Sequence, residues 1–487
     1  MKRLTIWHTN DIHSYFDAFL KIGGYLEQHR QEHDLLLDAG DFCDFRSPMI
    51  NGTGGMGGIT LLKAAGYEAL AVGNNEFFSG TEAMTVMSTM GLPLLSCNLT
   101  ALDGKLIGRI LPSVIIRKGE VRCLVIGCSP YWGSEEGDTS FMDMTGIRTV
   151  PPGPAVRDEI TRHAGQYDLC ILLSHAGIRQ DRMIAKETAG IDLIIGGHSH
   201  TEMTIPEKAG KTWIHHSGRY GQYLGRIELT LNDTGGIVQL TADNLQPAGE
   251  ESRPLRDIFA AEERRGIEIL SRSLYEIPEL AFDPFAECAA VNVLADALWQ
   301  EYGGELAVIN NGILEGPLGP QVSRLHLLHR APSGLNPTSV YWSGRQIKEA
   351  LQCSLTEEWS HREGRGAGFR GKVLGTLSVS RNVRVDRQPF RVMLDGEEMQ
   401  DDRLYHVITD DYLQRGSGYT MLGFSQRETQ FFPGYIRDLL ERVLNRKEYL
   451  EHRILCLVAD DGGTRHRLGT WRVCTHLWRR PHLPQPF

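Results

Sequence analysis

The sequence predicts a layered α/β protein of two domains. A length of 487 residues exceeds what one hydrophobic core usually serves, and 41% apolar with 23% charged residues is ordinary for a globular chain. The third observation is a rhythm. Up to about residue 245, short apolar runs each lead into a loop bearing polar or ionisable residues and then into a helix-like stretch.

In order, Leu4 to Trp7 precedes Asp11 and His13, Leu35 to Leu37 precedes Asp41, and Ala69 to Val72 precedes Asn74. Leu169 to Leu173 then precedes His175, and Ile191 to Ile195 precedes His198 and His200. In open α/β sheets ligands gather outside the carboxyl ends of strands, so these five loops are expected to converge on one crevice. Between Pro254 and Ser273 the spacing of Leu255, Ile258, Phe259, Ile267 and Leu270 predicts an amphipathic connector helix. A helix over Ala289 to Tyr302 and a strand over Leu306 to Ile309, leading to Asn310-Asn311-Gly312, open the second domain. The expected division is 1–245, a linker helix within 246–274, a smaller α/β domain over 275–460, and a tail at 461–487. That tail interleaves arginines with Trp471, Trp478 and prolines without a periodic face, and is read as disordered or aberrant.

A net charge of −10 argues against a surface built to grip nucleic acid. No run of apolar residues is long enough to span a bilayer, and the opening Met1 to His8 runs into a strand without a secretory-type apolar stretch. Nine dispersed cysteines, without metal-type pairing, suit reduced thiols. The expectation is a cytoplasmic protein with a small phosphorylated substrate and neither nucleic acid nor membrane as partner.

Asp11 and His13 are one residue apart, so at a strand end both side chains can reach one cation. Asp41, after Gly40, has two oxygens with which to bridge two cations. Asn74 adds a neutral carbonyl, while His175, His198 and His200 add imidazole nitrogens, the last two after Gly196-Gly197. Taken singly, each of these is more often a turn or a satisfied structural residue. Together, carboxylates, imidazoles and one amide suit two divalent ions of Zn, Mn or Fe, not calcium or a thiolate site. Two such ions would activate water and clamp phosphoryl oxygens, so phosphate ester hydrolysis is the natural reaction.

His8-Thr9-Asn10-Asp11-Ile12-His13, Ala39-Gly40-Asp41, Gly73-Asn74-Asn75-Glu76, Ser174-His175, Gly196-Gly197-His198-Ser199-His200 and Gly218-Arg219-Tyr220-Gly221 stand in a recognisable order. The chain thereby resembles the metal-dependent 5'-nucleotidase and UDP-sugar hydrolase group of the calcineurin-like phosphoesterases. The resemblance implies a four-layer αββα sandwich joined by a linker helix to a smaller α/β domain that binds substrate. It also implies that Asp11, His13, Asp41 and His200 hold one metal and Asp41, Asn74, His175 and His198 the other. Where the family usually reads Gly-Asn-His-Glu followed by an aromatic and Asp, this chain has Asn75 and Phe78, a pattern that resembles cytosolic nucleotidases of Gram-positive bacteria. Asn75 is the expected catalytic donor to a phosphoryl oxygen, but it supplies neither positive charge nor a titratable proton. In the second domain the resemblance points to Asn310 and Tyr419 as substrate contacts, while Phe369-Arg370-Gly371-Lys372 reads equally as a stacking ring, Phe369, with phosphate donors, Arg370 among them, or as a glycine-rich turn exposed to water. Glu315 stands where the family usually has Arg. Two further readings stay open: a phosphodiesterase or UDP-sugar pyrophosphate hydrolase, and a catalytically weak protein that binds metal and nucleotide.

Overall fold

The computed structural model describes residues 1–77, 80–131, 145–232, 235–366, 368–423, 425 and 427–450. The expectations for Phe78 and for the tail at 461–487 lie outside the described residues. The first part of the chain forms two six-stranded sheets. In one, Lys2–Thr9 pairs in parallel with Leu35–Asp38 and antiparallel with Leu224–Leu231. Ala69–Ala71 and Leu94–Leu95 continue the parallel side, and Ile237–Leu245 closes the other edge. In the second sheet Leu169–Ser174 lies between Val121–Cys128 and Leu193–Gly196, all parallel. Thr212–His216 joins in parallel beyond Leu193–Gly196, and antiparallel strands form both edges.

The parallel strands read as continuous apolar runs because both faces of each sheet are covered. Alternation at period two then sorts the side chains. Leu4, Ile6, Leu35 and Leu37 meet Val125, Ile171, Leu173 and Ile195 of the other sheet in one buried layer. On the outer face of the first sheet Trp7, Leu36 and Leu70 pack with Phe19 and Leu20 of the helix Phe16–His29. On the outer face of the second, Leu124, Leu172 and Ile194 pack with Val156 and Ile184, carried by the helices Pro152–Arg162 and Ile178–Glu187. Helix, sheet, sheet and helix therefore make four layers.

The connector forms a helix over Arg253–Leu270, capped by Ser252, whose Oγ accepts from the Leu255 N–H at 3.2 Å. Leu255 enters the core of the first part against Gly23, where an added Cβ would lie 2.3 Å from the leucine methyl. Beyond it, a second buried core runs from Ile277 to Tyr449. Its five-stranded sheet has the order Leu377–Val379, Leu306–Asn310, Leu404–Asp410, Pro337–Ser343, Gln430–Phe431. The helix Ala289–Tyr302 lies against that sheet with residues 289–298 all buried, and Gly303 ends it in the left-handed conformation. No helix among the described residues is long and apolar enough to cross a membrane.

Candidate metal centre

All five expected loops start at the carboxyl ends of parallel strands, three from the first sheet and two from the second. They are tied to one another through the backbone. The Asp11 N–H donates to Gly40 O and the His13 N–H to Asp41 O, each at 2.9 Å. Asp11, His13, Asp41, His198 and His200 all have φ between 47° and 70°, a region L side chains rarely adopt. Such concentrated strain is characteristic of sites where the surrounding structure dictates the conformation. Gly197 allows the close approach: a Cβ there would lie 2.9 Å from His175 Nδ1 and 3.1 Å from Asp11 Oδ2.

Two carboxylates sit among the imidazoles. Asp11 Oδ1 lies 3.4 Å from His200 Nε2, 3.7 Å from His13 Nε2 and 3.8 Å from His175 Nε2. Asp41 Oδ2 lies 3.3 Å from His175 Nε2 and 3.6 Å from His13 Nε2. Potential ligand atoms of Asp11, His13 and His200, and of Asp11, Asp41 and His175, fall within 4.8 Å of one another. The resemblance makes Asp41 the shared carboxylate; in these two groups the member in common is Asp11, and Asp41 belongs to one of them. Asn74 and His198 stand together beside them, with His198 Nδ1 2.8 Å from Asn74 Oδ1.

His175 supplies the test of whether a cation fits. Its Nδ1 donates to Ala39 O at 2.7 Å, so Nε2 is the nitrogen turned toward the two carboxylates. Nε2 is buried without a hydrogen-bond partner. Burial alone would depress this imidazole, yet the adjacent Asp41 carboxylate raises it to about 10. Asp41 in turn, despite burial, is lowered to about 2 by His175. The pocket thus stabilises positive charge between these groups, and the nitrogen and oxygen donor set suits a divalent transition ion. His198 behaves oppositely: burial and His175 lower it to about 4, which keeps it neutral and able to act as a ligand.

Asn75, the expected catalytic donor, is turned elsewhere. Its Nδ2 donates to Asp41 Oδ2 at 2.6 Å and its backbone N–H to Asp41 Oδ1 at 2.8 Å. Glu76, which the sequence reading passed over, accepts from the backbone N–H groups of Asp41 and Gly73, both at 2.9 Å, and of Cys43 at 3.1 Å. Burial and then the nearby Asp41 push this carboxyl up to about 7. Its place in Gly-Asn-Asn-Glu was the available signal. A second overlooked group is Asp181, which accepts from Ser174 Oγ at 2.6 Å and faces His216 Nε2 at 2.8 Å beneath the His175 and His198 loops. Nothing in local sequence connects those three residues.

A cleft of about 630 Å³ opens above the centre, lined by His13, Asn75 and His200 on one side and Phe369, Arg370 and Arg437 on the other. Arg370 reaches Asp44 at 3.7 Å across it. Phe369 stacks on Tyr412 with centroids 4.4 Å apart. Asn310 and Tyr419 lie outside the cleft lining, in contrast to the substrate contacts expected of them. Both are fully buried: Asn310 Nδ2 donates to Leu374 O at 2.7 Å and Tyr419 OH to Gly375 O at 2.6 Å. They anchor the segment that follows Phe369 and Arg370, because an aromatic hydroxyl and an amide buried in a core must find carbonyl partners.

A double-sheet scaffold with buried Asp and His side chains gathered at its strand ends defines a metal-dependent phosphoester hydrolase. Residues 4–202 match the calcineurin-like phosphoesterase family and residues 276–423 match the 5'-nucleotidase C-terminal domain. The chain belongs to the calcineurin-like metallophosphoesterases that carry a 5'-nucleotidase C-terminal domain. It is 27% identical to YunD of Bacillus subtilis, an uncharacterized metallophosphoesterase, over 90% of this chain and 98% of that protein. It is 24% identical to the 5'-nucleotidase of Bos taurus over 86% of this chain and 84% of that one. Among solved structures, the NAD nucleotidase of Haemophilus influenzae shares the fold with a TM-score of 0.61 at 16% identity, over 94% of this chain and 98% of that chain. The 5'-nucleotidase precursor of Thermus thermophilus does so with a TM-score of 0.56 at 18% identity, over 94% and 97%. The family implies divalent metal ions, and Asp and His groups able to hold them are present.

Proposed function

We propose that the chain is a two-metal phosphohydrolase that removes phosphate from a nucleotide or a similar phosphorylated metabolite. The observation that carries this reading is the position of Asp11 and Asp41, two buried carboxylates each flanked by imidazoles, with Asp41 lining a cleft walled by guanidinium groups. Asp11, His13, Asp41 and His200 would hold one ion and Asp41, Asn74, His175 and His198 the other, with Zn, Mn or Fe as the candidates. When bound, the ions supply Lewis acidity toward phosphoryl oxygens and a nucleophile from water at neutral pH. The residues of the chain do the rest. Arg370 attracts an anion into the cleft, Phe369 backed by Tyr412 offers an apolar wall, and Asn75 with Glu76 keeps Asp41 in place.

In this reading residues 1–245 carry the chemistry, 246–274 the connection, and 275–460 the choice of substrate. The names of the relatives, 5'-nucleotidases and an NAD nucleotidase, support a nucleotide as substrate. A cytoplasmic location is supported by the dispersed free thiols Cys43, Cys97, Cys123, Cys128, Cys170, Cys288 and Cys353. The engagement of Asn75 with Asp41 favours a second reading, hydrolysis of phosphodiester or pyrophosphate bonds, because such leaving groups need no proton from this position. Rates on AMP, a 2',3'-cyclic nucleotide and a UDP-sugar with Mn²⁺ separate the two. AMP is expected to be the best substrate; hydrolysis of none of the three would overturn both readings.

A further inference from the structure

The wall of the cleft that carries the candidate ligands presents a guanidinium that no carboxylate among the described residues neutralises. Arg219 is exposed and lines the cleft beside Asn75 and His200. Its guanidinium carbon sits 4.8 Å over the Tyr220 ring, and its Nη1 lies 3.4 Å from His200 Nδ1. Among the described residues it forms no ion pair. Arg46, by contrast, lies 3.3 Å from Asp44. The turn that carries Arg219 is firmly placed. Tyr220 has φ 59°, donates its N–H to Asp11 O at 2.7 Å, and stacks on Tyr15 with centroids 4.3 Å apart.

The contact with His200 belongs to one tautomer only. His200 turns Nε2 toward Asp11 Oδ1 at 3.4 Å and His13 Nε2 at 3.1 Å, so Nε2 is the nitrogen available to a cation. A neutral imidazole that offers Nε2 carries its proton on Nδ1 and cannot accept from Arg219. Arg219 then keeps five N–H donors and full charge at the mouth of the site. Asn75, which also lines the cleft, spends its amide on Asp41 and brings no charge.

We propose that Arg219 binds the phosphoryl group of the substrate, supplying from the Gly218 to Gly221 turn the cationic contact that Asn75 cannot make. The proposal rests on the phosphohydrolase reading above. A planar guanidinium matches two phosphoryl oxygens in a bidentate pair, and a cation already held at the phosphoryl group needs no reorganisation as charge develops there.

The test uses the full chain loaded with Mn²⁺ and inorganic phosphate as the probe. In calorimetric titrations Arg219→Ala is expected to weaken phosphate binding by about 10-fold or more, with Arg219→Lys recovering part of it. Mn²⁺ affinity of Arg219→Ala should equal or exceed that of the unmodified chain, since a cation next to His200 is removed. In kinetics, Arg219→Ala should lower kcat/KM on a phosphomonoester by about 100-fold. Equal phosphate affinity in the Ala variant overturns the proposal, as does an unmodified chain that binds no phosphate. Loss of Mn²⁺ binding in the Ala variant overturns it too, because Arg219 would then be a support of the metal loops. A chain that shows the predicted phosphate contrast but hydrolyses no phosphate ester removes the phosphohydrolase reading while leaving Arg219 as an anion-binding residue.

Discussion

Asn75 holds Asp41 by both carboxylate oxygens, Oδ2 through the side-chain amide at 2.6 Å and Oδ1 through the backbone N–H at 2.8 Å. A residue that replaces the family's usual histidine therefore acts on the orientation of a candidate ligand. Asn75→Ala removes the Oδ2 contact and is expected to weaken metal affinity by roughly 10- to 100-fold, the usual effect of losing a group that orients a ligand. Competition with a chelator measures this directly. Asn75→His can keep a donor near Asp41 and adds a titratable proton, so turnover should be retained or raised. Unchanged affinity in the Ala variant would show that the hydrogen bond does not position Asp41.

Asp181 joins two strands that feed the site. Its carboxylate accepts a hydrogen bond from the Ser174 hydroxyl at 2.6 Å and faces His216 Nε2 at 2.8 Å, with all three residues fully buried. Gly196 passes so close that a Cβ would lie 2.1 Å from His216 Nε2, which leaves no room for rearrangement. Asp181→Ala leaves two buried polar groups without their acceptor and should destabilise the chain by about 3 kcal/mol, with Asp181→Asn milder. Urea unfolding of the metal-free protein is the measurement. A loss below about 0.5 kcal/mol, the level of an ordinary surface change, would contradict the role assigned to the network.

Mild acidification should remove the stability contributed by the buried neutral rings of His8 and His215. His8 lies well below the usual imidazole range through burial and through His215 and His216. Burial, with His216 adding to it, lowers His215 to about 4. These rings stay neutral in the fold while histidines of the unfolded chain, near 6.5, already take up protons. The associated stability is therefore complete above about pH 6.5 and is lost as pH falls toward 4. For His215 alone the loss between about pH 7.5 and about pH 5 is about 2 kcal/mol. Unfolding free energies of the metal-free chain and of His215→Gln at those two pH values test it; an equal pH dependence in both would rule His215 out as a source.

The seven candidate ligands were legible because each follows an apolar run that only a buried strand explains, and because Gly40, Gly73 and Gly197 mark backbone that must approach side chains closely. The helix over Ala289–Tyr302 and the strand from Leu306 were legible for the same reason, periodicity ended by glycine. What escaped depends on pairings that no local pattern encodes. His8 meets His215 at 2.8 Å only because two separate sheets pack face to face. Tyr419 sits in a Gly-Ser-Gly-Tyr turn that looks exposed, yet the ring is buried against Trp359. Asn75 could be assigned a donor role from its chemistry, but whether it served substrate or Asp41 required coordinates.

The central claim is that two cations are held around Asp11 and Asp41 and that hydrolysis depends on them. The most direct measurement is the metal content of the purified full chain and of Asp41→Asn, with AMP turnover followed in the same samples. About two ions per chain are expected for the unmodified protein, and Asp41→Asn should lose at least one ion together with hydrolysis. Metal-dependent turnover that survives Asp41→Asn unchanged would contradict the account.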